Sequence, residues 1–201
     1  DCCRRAAEAG FDAVELLPPS PDAVSPAVLR DLLESNHLSL STISTGAAYL
    51  VDRLHLCSPL PERRRRAIEF VGQMIDLAGP LGGRVIVGLV KGFVEPGVQR
   101  ATAEAWLREG LEELGRHAAA RGTCVVLEPL NRYESPWFNR LEEGVALIRS
   151  LDTRNAKLLA DHDEELAAKI VDVLSLHLLG VRLEDISGSD LPKRAAALLI
   201  A

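Results

Sequence analysis

The chain has 201 residues, 47% of them apolar and only 4% aromatic, with a formal charge of −6 and a pI near 5.4. That length suits one domain with a core built on Leu, Val, Ile and Ala, and the acidic balance argues against a general electrostatic grip on nucleic acid, which needs a basic surface. No apolar run approaches the roughly 20 residues that span a bilayer, and no signal peptide is visible, so neither nucleic acid nor membrane is an expected partner. Cys2, Cys3, Cys57 and Cys124 form no C-x-x-C pair and read as reduced thiols of a cytoplasmic protein.

In chain order, Arg4–Gly10 reads as a helix end stopped by glycine and Asp12–Leu16 as a short strand. Ser25 followed by Pro26 marks a helix start, and that helix runs to Asn36. Leu38–Ser44 is a strand, and residues 46–60 read as an irregular loop. From Pro61, apolar residues at 67, 68, 70, 71, 74, 75, 77 and 78 have helical spacing. Arg84–Val90 is a strand, Thr102–Arg121 a long helix and Thr123–Leu130 a strand. Asn139 and Glu142 have the spacing of a capping box for a helix ending near Ser150. Ala156–Ala160 is a strand, Asp163–Val173 a helix, Leu178–Glu184 a strand, and the tail "PKRAAALLIA" reads as helical. Six strands alternating with helices imply a parallel sheet with right-handed crossovers, either open or closed into a (β/α)₈ barrel. Neither G-x-G-x-x-G after the first strand nor a P-loop is present, so the nucleotide-binding open sheets lose their usual support.

Ligands of parallel α/β folds gather at the carboxyl ends of the strands. Here those ends carry Glu15, Thr45, Lys91, Glu128, Asp161 and Glu184–Asp185. Such an acidic rim suits a hard divalent cation and proton abstraction beside a carbonyl, although Asp and Glu also cap following helices. Glu128 is the strongest candidate, because Pro129 and Asn131 follow it instead of a helix. Arg63–Arg66 reads as a solvated helix face and His37, His55 and His117 as surface or loop residues. Lys91–Gly92 reads as a plain turn, with a mobile loop near the mouth as the alternative.

The stretch "VVLEPLNRYESPWFN" followed by "LLADHDEE" resembles the xylose isomerase-like TIM-barrel superfamily, in the branch of tagatose/psicose 3-epimerases, hydroxypyruvate isomerase and inositol-pathway isomerases. "AAEAGFDAVEL", "RRRRAIEFVGQMIDLAGPLGGRVIVGL" and "GVRLEDISG" support it in the right order. The resemblance implies a (β/α)₈ barrel as a single domain over residues 1–201, incomplete because a typical barrel needs about 250 residues. The first and last strands would be missing, leaving two sheet edges unpaired. It further implies a divalent metal (Mn, Mg, Co or Zn) held by Glu128, Asp161 and His162, with Glu128 also exchanging a carbon-bound proton of a sugar. Glu134, Asn131, Arg132, Glu15 and Trp137 would contact or frame the substrate. Trp137 and Phe138 could equally pack at the base of the loop.

Two departures from the pattern stand out. Glu164 occupies the place where the family has a His after the aspartate, and Arg182 stands where a strand-seven histidine is expected. A guanidinium cannot ligate a metal, and His177 lies too far along the chain to replace it. Relatives are often dimers or tetramers, so a homo-oligomer is compatible with the resemblance. The leading expectation is a metal-dependent sugar isomerase or epimerase acting through an enediolate. The alternatives are a non-catalytic remnant that binds a sugar or partner, and a repair nuclease like endonuclease IV, which needs many histidines.

Overall fold

A computed structural model describes residues 2–130 and 133–159 together with the backbone of residues 199 and 200. Strands β1 (Ala13–Leu16), β2 (Ser39–Ser44), β3 (Arg84–Val87), β4 (Val125–Leu127), β5 (Ala156–Leu158) and β6 (Leu199–Ile200) form one sheet in the order β5-β4-β3-β2-β1-β6. Every pairing is parallel. Strands β1 to β5 lie side by side in chain order with a helix in each crossover between them, and β6 pairs with the outer side of β1, the arrangement of an incomplete (β/α)₈ barrel.

Helices α1 (Cys2–Glu8), α2 (Pro26–Ser35), α3 (Gly46–Asp52), α4 (Pro61–Ala78), α5 (Arg100–Ala120) and α6 (Leu141–Arg149) connect the strands. Pro61 opens α4 at its first helical position, where its missing N–H costs nothing. Ala67, Phe70, Val71, Met74, Ile75 and Ala78 then give α4 one buried stripe. On α5 the buried stripe is Ala103, Leu107, Leu111, Leu114 and Ala118. Both stripes pack on the sheet face that carries Val14, Leu40, Ile43, Val85, Val87, Val125 and Leu127, and this is the main core. The opposite face carries a smaller cluster of Ile86, Cys124 and Val126, the inner side of the curved sheet. Side chains alternate across a strand, so each strand feeds both layers.

Four expectations need correction. Residues 46–60 are not wholly irregular, because Gly46–Asp52 is α3, which ends on Arg53 at φ 55. The strand expected over 84–90 stops at Val87, and Leu89–Lys91 is a 3₁₀ turn between Gly88 and Gly92. Asn139 does not cap α6: the residue before the helix is Arg140, and Asn139 Nδ2 donates to the carbonyls of Leu130 at 2.7 Å and Ser135 at 2.6 Å. Leu199 and Ile200 are not helical but pair with Glu15 and Leu16, which covers the β1 edge that was expected to be bare. An edge strand offers unpaired N–H and C=O groups, and satisfying them outweighs a modest helix preference. The expected elements at 163–173 and 178–184 lie outside the described residues.

Of the four arginines, Arg65 and Arg66 are exposed, as expected of a solvated face, but Arg63 and Arg64 are half-buried. Arg65 bridges Glu62 and Glu69, while Arg64 stacks over Trp106 at 4.4 Å and donates to Ser58 O at 2.6 Å.

Candidate active site

Glu128 follows the last residue of β4 and remains tied to the sheet, since its N–H donates to Val87 O at 3.1 Å. Cys124 and Val126 face the inner side, so alternation carries the half-buried Glu128 side chain to the same side. Gly88 ends the neighbouring strand. A Cβ at that position would lie 2.6 Å from Glu128 Oε2, so the carboxylate rests in a cradle from which any larger residue would displace it. Glu15 also faces away from the helix-packed core, because Val14 and Leu16 occupy that side. Its carboxylate accepts a hydrogen bond from Thr42 Oγ1 at 2.5 Å. Thr45 is buried and donates to Ile86 O at 2.6 Å, which joins the ends of β2 and β3 and uses the hydroxyl structurally.

Beside this rim is a cavity of about 270 Å³. Tyr49 of α3 lines it, with Leu89, Gly92 and Phe93 after β3, and Glu134 and Pro136 after β4. The loops at the carboxyl ends of β2, β3 and β4 therefore build it, where the fold concentrates ligands. The turn that presents Glu134 is braced from within. Asn139 holds the Leu130 and Ser135 carbonyls, and Ser135 Oγ donates to Trp137 O at 3.0 Å.

Trp137 lies in the core, with its ring edge-on to Phe138 at 4.7 Å. It is not among the residues lining the cavity, so packing at the base of the loop describes it. Tyr49 and Phe93 supply the aromatic wall instead. Asn131, Arg132, Asp161 and His162 lie outside the described residues, as do His177 and Arg182. Among the described residues no three His, Cys, Asp or Glu side chains converge as metal ligands.

Two groups near the cavity were not expected. Lys91 is completely buried rather than part of a mobile loop, and its Nζ has no hydrogen-bond partner among the described residues. Burial pulls its pKa down to about 8, against the opposing charges of Glu128 and Glu134. His55 is likewise buried, stacked on Phe93 at 5.3 Å and bonded to Glu95 Oε1 at 3.0 Å. Burial holds its pKa below the ordinary histidine value although Glu95 pulls upward. The only sequence signal for Lys91 was its place at a strand end, and His55 carried none. Cys57 is buried beside Lys91, and desolvation pushes its thiol far up, so it is inert at neutral pH.

The model of the family described as "xylose isomerase-like TIM barrel" matches residues 3–183. The chain is 29% identical to a 2-oxo-tetronate isomerase of Cupriavidus necator over 158 residues, covering 78% of this chain and 60% of that protein. The crystal structure of a D-allulose 3-epimerase from Methylomonas sp. in complex with D-allulose has 27% identity and a TM-score of 0.66, covering 78% of this chain and 54% of that one. A probable endonuclease 4 of Acholeplasma laidlawii is 27% identical over 124 residues, 62% of this chain and 40% of that protein. The chain thus spans 40% to 60% of these relatives. With the parallel sheet, the helical crossovers and the rim at the strand ends, these matches show that the chain belongs to the xylose isomerase-like TIM-barrel family.

Proposed function

We propose that this chain forms the core of a divalent-metal-dependent sugar isomerase or epimerase, with Glu128 moving a proton at the carbon beside a carbonyl. The observation that carries the reading is the Glu128 carboxylate, which lies against Gly88 at the end of β4, on the rim beside a cavity edged by Glu134. The names of the isomerase and epimerase relatives support the same class of reaction. In this reading Glu128 takes the carbon-bound proton and returns it, through a cis-enediolate. Glu134 accepts hydrogen bonds from substrate hydroxyls. Tyr49 and Phe93 pack on the C–H faces of the sugar and exclude water. Glu15, Asn131 and Arg132 complete the rim, and Trp137 supports the turn from behind.

The donor chemistry fits a hard cation: Glu128 offers oxygen ligands, and the Gly88 cradle leaves room for its carboxylate. Asp161 and His162 would complete the set with it. When bound, the cation would polarise the carbonyl and offset developing negative charge.

Solvent deuterium exchange into several ketoses, with Mn²⁺ present, tests the reading. Exchange is expected for the wild type, and Glu128→Gln should slow it by about 10²–10⁴-fold, the range for a general base. Undiminished exchange in that variant removes the role given to Glu128. A binding-only remnant is the second reading, favoured by Arg182 at an expected ligand position. It requires weak Mn²⁺ binding by calorimetry together with absent exchange. The endonuclease reading gains nothing from the described histidines. His37 is exposed, His55 is engaged by Glu95, and His117 bonds Asp76 on the outer surface at 2.7 Å.

A further inference from the structure

We infer that the Lys91 ammonium is a binding point for a negatively charged oxygen of the molecule that fills the cavity. The inference deepens the isomerase reading and takes the location of the site from it. Lys91 is 0% exposed and its Nζ has no partner among the described residues. An ammonium has three donors, and burying it with none satisfied is strongly unfavourable. Such a group persists where a missing acceptor arrives with a ligand.

Its surroundings say where that acceptor comes from. Leu89 and Gly92, on either side of Lys91 in the turn, line the cavity, and Lys91 lies buried between them without lining it itself. Glu134, whose charge acts on Lys91, lines the same cavity, and Glu128 acts on it from the end of β4. Neither carboxylate makes a hydrogen bond to Nζ, so both attract the ammonium without using its donors. Phe93 and Tyr49 give the cavity apolar walls, where a charge-assisted bond is stronger than in water. A neutral hydroxyl would fill one donor, whereas an anionic oxygen makes the stronger, charge-assisted bond. That oxygen has two sources: the carboxylate of a sugar acid, present throughout, or the enediolate oxygen, present only during proton transfer.

Calorimetry on the Mg²⁺-saturated protein compares erythronate with erythritol, in the wild type and in Lys91→Met, and deuterium-exchange kinetics on the same two proteins give kcat and KM. Erythronate also meets the metal, so the change between wild type and variant isolates Lys91. A carboxylate partner gives a preference for erythronate over erythritol at least tenfold larger in the wild type than in Lys91→Met. An enediolate partner gives the same preference in both proteins and at least a tenfold loss of kcat at unchanged KM in Lys91→Met. The inference is overturned if Lys91→Met alters neither the preference nor kcat, or if the wild type has no preference and no exchange. Lys91→Gln replaces the Met variant should that one not fold. A Lys91-dependent preference for erythronate in a protein that exchanges no deuterium removes the isomerase reading and leaves this one standing.

Discussion

Lys91 and His55 are expensive residues in the folded state, and both costs are measurable. Burial depresses the Lys91 pKa to about 8, so the protonated form is less stable in the fold than in the open chain, by a margin on the order of 3 kcal/mol. Because the folded pKa is the lower one, this stability is present above the unfolded value and lost as pH falls through about 8. At pH 7 Lys91→Met should therefore raise the melting temperature, and scanning calorimetry checks it. A lysine needed only for structure would give the opposite sign. His55 follows the same rule at lower pH. Its pKa is depressed first by burial, so its contribution is present above the ordinary value of 6.5 and lost in acid. The denaturation midpoint should fall as the pH drops below 6.5, and His55→Gln should flatten that slope. Glu128 was legible from its place after an apolar run, and Glu134 only through the family resemblance. Lys91 and His55 were not, because burial is not written in a residue's identity.

At the level of elements, the ends of the strands matter more than their middles. β3 stops at Val87 and Gly88 turns the chain beneath the Glu128 carboxylate. Gly88→Ala should push that carboxylate off its position. A displacement of about an ångström costs roughly 10² in rate, so exchange should collapse while circular dichroism still reports a folded chain. Normal exchange by Gly88→Ala would remove the cradle from the account of the site. The long helices were legible because α4 and α5 carry a strong 3.6-residue pattern with proline or glycine at their boundaries. α3 was hidden: Leu50 and Val51 are exposed, and Thr45 makes no side-chain cap. Asn139 has the spacing of a cap, yet its amide bonds backbone carbonyls before α6, a choice made by the folded turn.

For the whole molecule, the parallel sheet places its stability in the centre. β3 and β4 each have a strand on both sides, and their core face lies against the buried stripes of α4 and α5. β6 contributes two residues to the β1 edge, and the outer edge of β5 has no partner strand among the described residues. Hydrogen exchange should therefore be slowest in Val85–Val87 and Val125–Leu127 and faster in β5 and β6. Uniform protection across the sheet would contradict this gradient. No described helix is long and apolar enough to cross a membrane.

The sequence by itself determined the class of fold, because alternating short apolar runs and long amphipathic stretches have one economical solution, a parallel sheet wrapped by helices. It also determined the leading carboxylate, because a glutamate directly after a buried strand, followed by proline, has nowhere to go but the rim. Only the tertiary structure decided that a lysine is sealed with no hydrogen-bond partner among the described residues, that Trp137 serves the core, and that Leu199 and Ile200 pair with β1. Each of these depends on which distant segments meet, and contact across the chain is a property of packing rather than of local pattern.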